Sequence, residues 1–420
     1  MNVDAVIAAR SAIEALRAGV PNRAAIRLLG SDDDLLRQDF SNRLGRCDAA
    51  LRDGKQVEGI ILSGGFGAGK SHQLGYLSEL AHQQNFVFSL LPISKETPLF
   101  DPARLFAAAI RAAVVPDAND DVMTAVMRRL RPNSERYDAL ESWTTTEVRG
   151  GRLAPVFEAL LYLIPRRTTD PEDHARIARF FGGGKLASTV VNGWLRDAGA
   201  SRLFDVRRVR EADLALQRVR VAPRLFRASG YSGWCLLLDE VELIGRYSPL
   251  QRGRSYAELA RWLGLDEAPV PGLVTVAAVV GDFSDKMFRE THDDELIPTR
   301  LDERGMVRQA LMAKRGIEWL ERHQTRLNRP IEAGLRRSLD KIAGFYRDAY
   351  GWTPPRLDIG ELLTGKSMRQ YVKSWITSWD IERLYGQTPQ IEAETIATDY
   401  RESSEIEQAP ADDGEDDRAG

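Results

Sequence analysis

An α/β fold built on a parallel sheet is predicted by three observations. Short β-branched apolar runs alternate with stretches of helical periodicity. The first run, GIILSGG (59–65), leads through glycines into a helical stretch. A later run, GWCLLLDE (233–240), stops abruptly at two adjacent acids. With 420 residues the chain is long enough for two or three domains. Its 43% hydrophobic and 28% charged residues are ordinary for a globular protein. No stretch approaches the 18 or so consecutive apolar residues of a membrane span, and the start shows no basic region followed by an apolar stretch. A soluble, cytoplasmic protein is expected. Two cysteines, Cys47 and Cys235, argue against a disulfide framework, and Cys235 reads as a core residue.

In chain order, VIAARSAIEALRAGVPNRAAIRLLG reads as two short helices around a turn at Gly19–Asn22, and Leu35–Asp53 as a further helix. GIILSGG is a buried parallel strand, Lys70–Gln83 a helix, NFVFSLLPI (85–93) a second strand and 102–115 another helix. Residues 118–228 have mostly helical periodicity, broken at Gly150-Gly151, Pro165 and Gly182-Gly183-Gly184. GWCLLLDE is the third strand and GLVTVAAVVGD (272–282) the fourth. A fifth is expected within 304–314, where MVRQALMAK is ambiguous between strand and helix, and 316–385 reads as helical. The expected division is therefore N-terminal helices packing on the core (1–57), the core itself (58–117 and 229–315), a helical insertion (118–228), a helical lid (316–388) and an acidic tail (389–420).

Charge is uneven along this map. Residues 391–420 carry eleven acids against Arg401 and Arg418, too few apolar groups to order themselves, so disorder is expected from about residue 390. Residues 122–230 carry 20 Lys and Arg against 12 Asp and Glu, in clusters MRRLR, IPRR and DVRRVR. Such a segment can track a phosphate backbone, or its arginines can simply pair with nearby acids on solvated helix faces.

The strongest chemical signal is GGFGAGKS (64–71), a G-x-x-x-x-G-K-S (Walker A) pattern between a strand and a helix. Glycines let successive N–H groups turn inward as an anion cradle, and the following helix adds the positive end of its dipole. Gly64, Gly65, Gly67, Ala68, Gly69, Lys70, Ser71 and His72 are the candidate phosphate-binding residues. Lys70 supplies a mobile positive charge, and the Ser71 hydroxyl is a Mg²⁺ ligand. WCLLLDE (234–240) is the matching acidic (Walker B) strand. Asp239 would sit beside Mg²⁺, and Glu240 would polarise the attacking water. Glu242 reads as a surface or partner-facing acid. The parts predict a P-loop NTPase that would bind ATP and Mg²⁺, of AAA+ type: one core, adjacent Asp-Glu, and a helical lid.

Other parts are less sharply marked. Asp282 or Ser284 after the fourth strand is a candidate γ-phosphate reader, or a cap of the next helix. In GWTPPRL (351–357), Arg356 is expected at a helix start, reaching back to the nucleotide, or else lying on the surface. Arg246, Arg252, Arg254 and Arg300 are candidate fingers acting on a neighbouring copy, should a homo-oligomer form. The five histidines have no metal spacing, and the eight tryptophans read as core. No N-K-x-D motif marks a GTPase, and no second core marks an autonomous helicase.

AIEALRAGVPNRAAIRLLG, GGFGAGKSHQL, CLLLDEVE with a following Arg, and AYGWTPPRL together resemble the BREX-system ATP-binding protein family, the BrxD-like ATPases of bacterial phage defence. The resemblance runs over roughly residues 10–360. It implies an AAA+-like ATPase of the origin-recognition or signal-transduction sort. Its partners would be a helicase, a methylase and a phosphatase-like protein, and it would engage DNA or a partner as ATP turns over. It also implies that Val20–Arg23 line an adenine pocket. Two other functions stay open: an ATP-gated scaffold or signalling switch that does not hydrolyse, and a DNA-binding loader for a separate helicase.

Overall fold

The computed structural model describes residues 3–19, 22–31, 33–116, 121–167, 170–327, 332–357 and 367–386. The expected acidic tail lies outside these residues. The chain begins with α1 (Val3–Ala18), α2 (Arg23–Leu29) and α3 (Asp34–Arg52), then enters β1 (Ile60–Gly64), α4 (Lys70–Gln83), β2 (Val87–Pro92), α5 (Pro102–Arg111) and β3 (Ala113–Val114). A helical segment follows: α6 (Val122–Arg129), α7 (Glu135–Arg149), α8 (Pro155–Arg167), α9 (Pro171–Phe181), α10 (Ser188–Asp197) and α11 (Glu211–Ala228). The chain returns through β4 (Trp234–Asp239), a 3₁₀ turn at Val241–Arg246, α12 (Pro249–Trp262), β5 (Leu273–Val280) and a π-helical turn at Asp285–Glu290. It closes with α13 (Asp293–Glu303), α14 (Val307–Arg322), β6 (Gln324–Arg326), α15 (Glu332–Tyr350) and α16 (Met368–Tyr385).

The fold is α/β, with a six-stranded sheet in the order β3-β2-β4-β5-β1-β6. Every pairing is parallel except β2 with β3. β5 is buried along its whole length and β4 up to Leu238, as expected for strands covered by helices on both faces. One face packs Leu36, Phe40 and Leu44 of α3 and Leu74 and Leu77 of α4 against Leu62, Leu237 and Val276. The other buries Trp234, Leu236 and Ala277 beneath α5, α11, α12 and α14. Both cysteines are free and buried. No described helix is long and apolar enough to cross a membrane.

Two strands differ from expectation. Residues 304–314 hold no strand: from Val307 they form α14, with Ala310, Ala313, Ile317 and Leu320 buried at helical spacing. A Cβ on Gly316 would lie 2.2 Å from the Tyr256 carbonyl oxygen, so this glycine lets α14 press directly on α12. The fifth parallel strand is β6, three residues beside β1, and the core therefore runs past residue 315. The helix expected over 102–115 stops at Arg111, and Ala113–Val114 adds an antiparallel edge to β2.

The segment between β3 and β4 is helical, and its arginines divide. Those of α11 turn inward. Arg218 is buried over the Phe180 ring (4.6 Å) and bonds Glu211 and the Gly184 carbonyl. Arg220 reaches Glu147 at 2.6 Å, and Arg227 reaches the Ser232 carbonyl at 2.7 Å. Arg224 lies over Trp143 (4.2 Å), where burial pushes its pKa down to about 10. Arg202, Arg207, Arg208 and Arg210, by contrast, are exposed in a segment without regular structure.

The N-terminal helices do not act as one unit. α3 covers the sheet, but α1 joins the C-terminal helices in a separate core: Ala9 and Ile13 pack with Leu335, Ile342, Tyr346, Trp375, Ile376 and Trp379. Arg17 fastens this cluster, bonding both oxygens of Asp380 at 3.0 Å, while Tyr346 donates to the same carboxylate at 2.7 Å. α2 bridges the two bodies. Its Arg27 meets Glu79 of α4 at 2.8 Å, and Lys341 of α15 donates to the Leu29 carbonyl at 2.6 Å.

Candidate functional site

The loop between β1 and α4 turns sharply because two of its residues need the left-handed region: Gly67 has φ +74° and Gly69, at the N-cap of α4, φ +100°. The Ala68 N–H closes the turn onto the Gly65 carbonyl at 3.1 Å. Lys70 is buried, and its ammonium donates to the Gly64 carbonyl at 3.0 Å and the Gly65 carbonyl at 3.3 Å. The Gly281 N–H, just beyond β5, bonds the same Gly64 carbonyl at 3.0 Å and ties the loop to the next strand. Ser71 is half-buried in the first turn of α4.

Asp239 ends β4, level with Pro92 of β2. β5 alone separates β4 from β1, so the acids and the glycine loop lie at one sheet edge, about 10 Å apart across two strand spacings. That gap suits a polyphosphate with a cation beside it. Carboxyl ends of parallel strands where the connections reverse direction are the general ligand site of open α/β sheets. Here β1 connects through α4 toward β2, while the path from β2 onward runs back across the sheet to β6.

The three acids behind β4 have different surroundings. Asp239 is half-buried, and its Oδ1 accepts the Glu240 N–H at 2.9 Å. Glu240 is exposed and holds φ +57°, an unfavourable backbone for a non-glycine residue, fixed by the 3₁₀ turn that starts there. Glu242, read from sequence as a surface acid, is turned inward: its Oε2 is buried without a hydrogen-bond partner. Burial pushes its pKa up, as does repulsion from Asp239 and Glu240, against the attraction of Lys70. The signal for it was its place between Val241 and Ile244, both buried.

Other candidates are redistributed. His72 does not face the loop: its Nε2 bonds the Gly30 carbonyl at 2.7 Å, and burial lowers its pKa, so it is a neutral tie between α4 and the end of α2. Ser284 donates to the Leu320 carbonyl at 3.2 Å and accepts from Gln324 at 2.9 Å, a packing role. Asp282 lies at the carboxyl end of β5, paired with Lys286 at 2.8 Å. Arg252 is buried against Asp293 (2.8 and 2.9 Å), with Tyr256 on the same carboxylate, and is no finger for a neighbour. Arg300 is exposed on α13, and Arg246 and Arg254 are half-buried. Val20 and Pro21 lie outside the described residues. Asn22 caps α2 through the Ala25 N–H, and Arg23 pairs with Glu79 at 2.9 Å. Arg356 stands exposed in a non-helical stretch, 352–357, and the helix expected to start there would fall outside the described residues. Among the described residues near the C-terminal helices, Ser367 and Arg369 lie on the glycine loop, and the sequence reading missed both.

Comparisons with protein-family models, with curated proteins and with solved structures returned no match to this chain.

Proposed function

We propose that the protein is a P-loop ATPase of AAA+-like architecture, with ATP seated on the loop 64–71 and its γ-phosphate facing the acids of β4. The observation that carries this reading is the joint placement of a left-handed glycine loop, a buried Lys70 and the Asp239-Glu240 pair at one sheet edge, with a strand between them. Loop N–H groups and Lys70 would hold the β- and γ-phosphates. The donor set also fits Mg²⁺, a hard ion that takes one or two protein oxygens and leaves its other positions to phosphates and waters; Ser71 and Asp239 are those oxygens. Bound there, Mg²⁺ supplies charge neutralisation on the phosphates. Glu240, exposed at the strand end, would orient water and take its proton.

Turnover would be coupled to the helices through Ser367 and Arg369, and to DNA or a protein partner through the exposed arginines of 202–210. Setting this ATPase among the helicase, methylase and phosphatase-like proteins of a phage-defence system rests on the sequence resemblance. The test is nucleotide binding and steady-state ATP hydrolysis, with and without duplex DNA at two salt concentrations. Lys70→Ala should lose nucleotide binding. Glu240→Gln should bind ATP but turn over at least about a hundredfold more slowly. Unchanged affinity in the first, or normal turnover in the second, refutes the assignment. Stimulation by DNA that disappears at high salt favours DNA as the partner.

A further inference from the structure

We propose that Ser367–Arg369 forms a strap across the phosphate loop, latched by Arg369 on Phe66, and that nucleotide enters and leaves only when this latch opens. The proposal rests on the ATP-binding reading of the same loop. Phe66 is the one aromatic side chain in GGFGAGKS, and it stands 48% exposed at the loop tip. The Arg369 guanidinium lies 5.2 Å from the centroid of its ring. The backbone follows the side chain: the Arg369 N–H donates to the Gly67 carbonyl at 3.3 Å. A Cβ on Gly67 would stand 2.7 Å from Ser367 Oγ and 3.0 Å from Ser367 Cβ, so the loop glycine also makes room for the strap. From the other side, Gly19 closes on the same helix, its missing Cβ falling 3.3 Å from Arg369 Cδ and 2.9 Å from Lys373 Cε.

Beneath the strap, the Lys70 ammonium is turned back onto the Gly64 and Gly65 carbonyls. A phosphate group must draw Lys70 away from these carbonyls and reach the loop N–H groups. Opening the strap moves the first turn of α16, whose Trp375, Ile376 and Trp379 are embedded with α1 and α15. Each entry or exit of nucleotide is thereby felt in that helical cluster as a transient opening, with the latch closed again in both the free and the bound state. A partly exposed cation–π contact biases such an equilibrium by about two- to fivefold.

Stopped-flow binding of a fluorescent ATP analogue to the full chain, compared with Phe66→Ala, Arg369→Ala and the double variant, tests this. Each single substitution should raise the association and dissociation rates together by about two- to fivefold, leaving affinity nearly unchanged. The double variant should be no faster than either single one, because both remove the same contact. Association at the wild-type rate, or additive effects in the double variant, overturns the latch. Hydrogen exchange without nucleotide supplies a second readout: in Phe66→Ala the first-turn amides of α16 should exchange faster, while β4 and β5 stay protected. Unchanged exchange in α16 also overturns it. Absence of nucleotide binding by the unmodified protein sinks the ATP reading itself, whereas normal binding with unaltered rates sinks the latch alone.

Discussion

Three carboxylates stand within four residues at the end of β4, and only their surroundings separate them. Glu242 carries the clearest consequence. Its carboxyl has an unpartnered buried oxygen and a pKa raised by burial, so ionising it costs stability. The folded protein binds that proton more tightly than the unfolded chain does. Its contribution is therefore intact below the ordinary carboxyl range and is lost as pH rises through the raised folded value. Glu242→Gln should have a higher melting temperature than the unmodified protein at pH 8, with the gap shrinking toward pH 4.5. Equal melting curves at both pH values would place Glu242 in water. The sequence identified Lys70, Asp239 and Glu240 because their motif spacing is local. Arg369 follows Phe66 by some three hundred positions, and no local pattern links the two. Arg356 drew attention instead because two prolines suggested a helix start; it is exposed in the non-helical stretch 352–357.

Among the elements, the insertion shows how charge counting misleads. Glu147 of α7 accepts from Arg152 (2.8 and 2.9 Å) and Arg220 (2.6 Å), and their bonds hold its pKa below the usual carboxylate range. It is the counter-charge that lets Arg220 turn away from solvent, while Arg152 reaches it from the exposed side. Glu147→Gln should cost about 1–3 kcal/mol at neutral pH, measured by chemical denaturation. Here the stabilisation is present above the ordinary carboxyl pKa and disappears as pH falls through the lowered folded value, so the two proteins should converge in acid. A constant difference across that range would mean that shape, and not charge, matters at this position. Four of the core strands were legible because their apolar runs are nearly continuous, and three of them, β1, β4 and β5, end in glycine or acid. β6 was not: three polar or weakly apolar residues, Gln324–Arg326, form a strand only because β1 offers an open edge beside them. α14 was mistaken for strand territory because its helical spacing extends beyond the short window MVRQALMAK.

For the whole molecule, the two bodies have separate cores, joined through α2 and the strap on the glycine loop. Damage to one should remain largely local. Ile13 is fully buried among α15 and α16, so Ile13→Ala should cost about 2–5 kcal/mol. Native-state hydrogen exchange should show lost protection in α1, α15 and α16 while β1, β4 and β5 keep theirs. Uniform loss over the sheet would mean that the bodies unfold as one.

The pairing of α1 with helices more than 300 residues downstream also has a consequence on the ribosome. At about 5–20 residues per second, α15 emerges roughly 15–60 s after α1. Throughout that interval the nascent chain carries an amphipathic helix whose native surface does not yet exist, while the strands between can already assemble. The sheet therefore has time to form before the C-terminal helical cluster is complete, and α1 is the segment most in need of a holding chaperone until synthesis reaches α16.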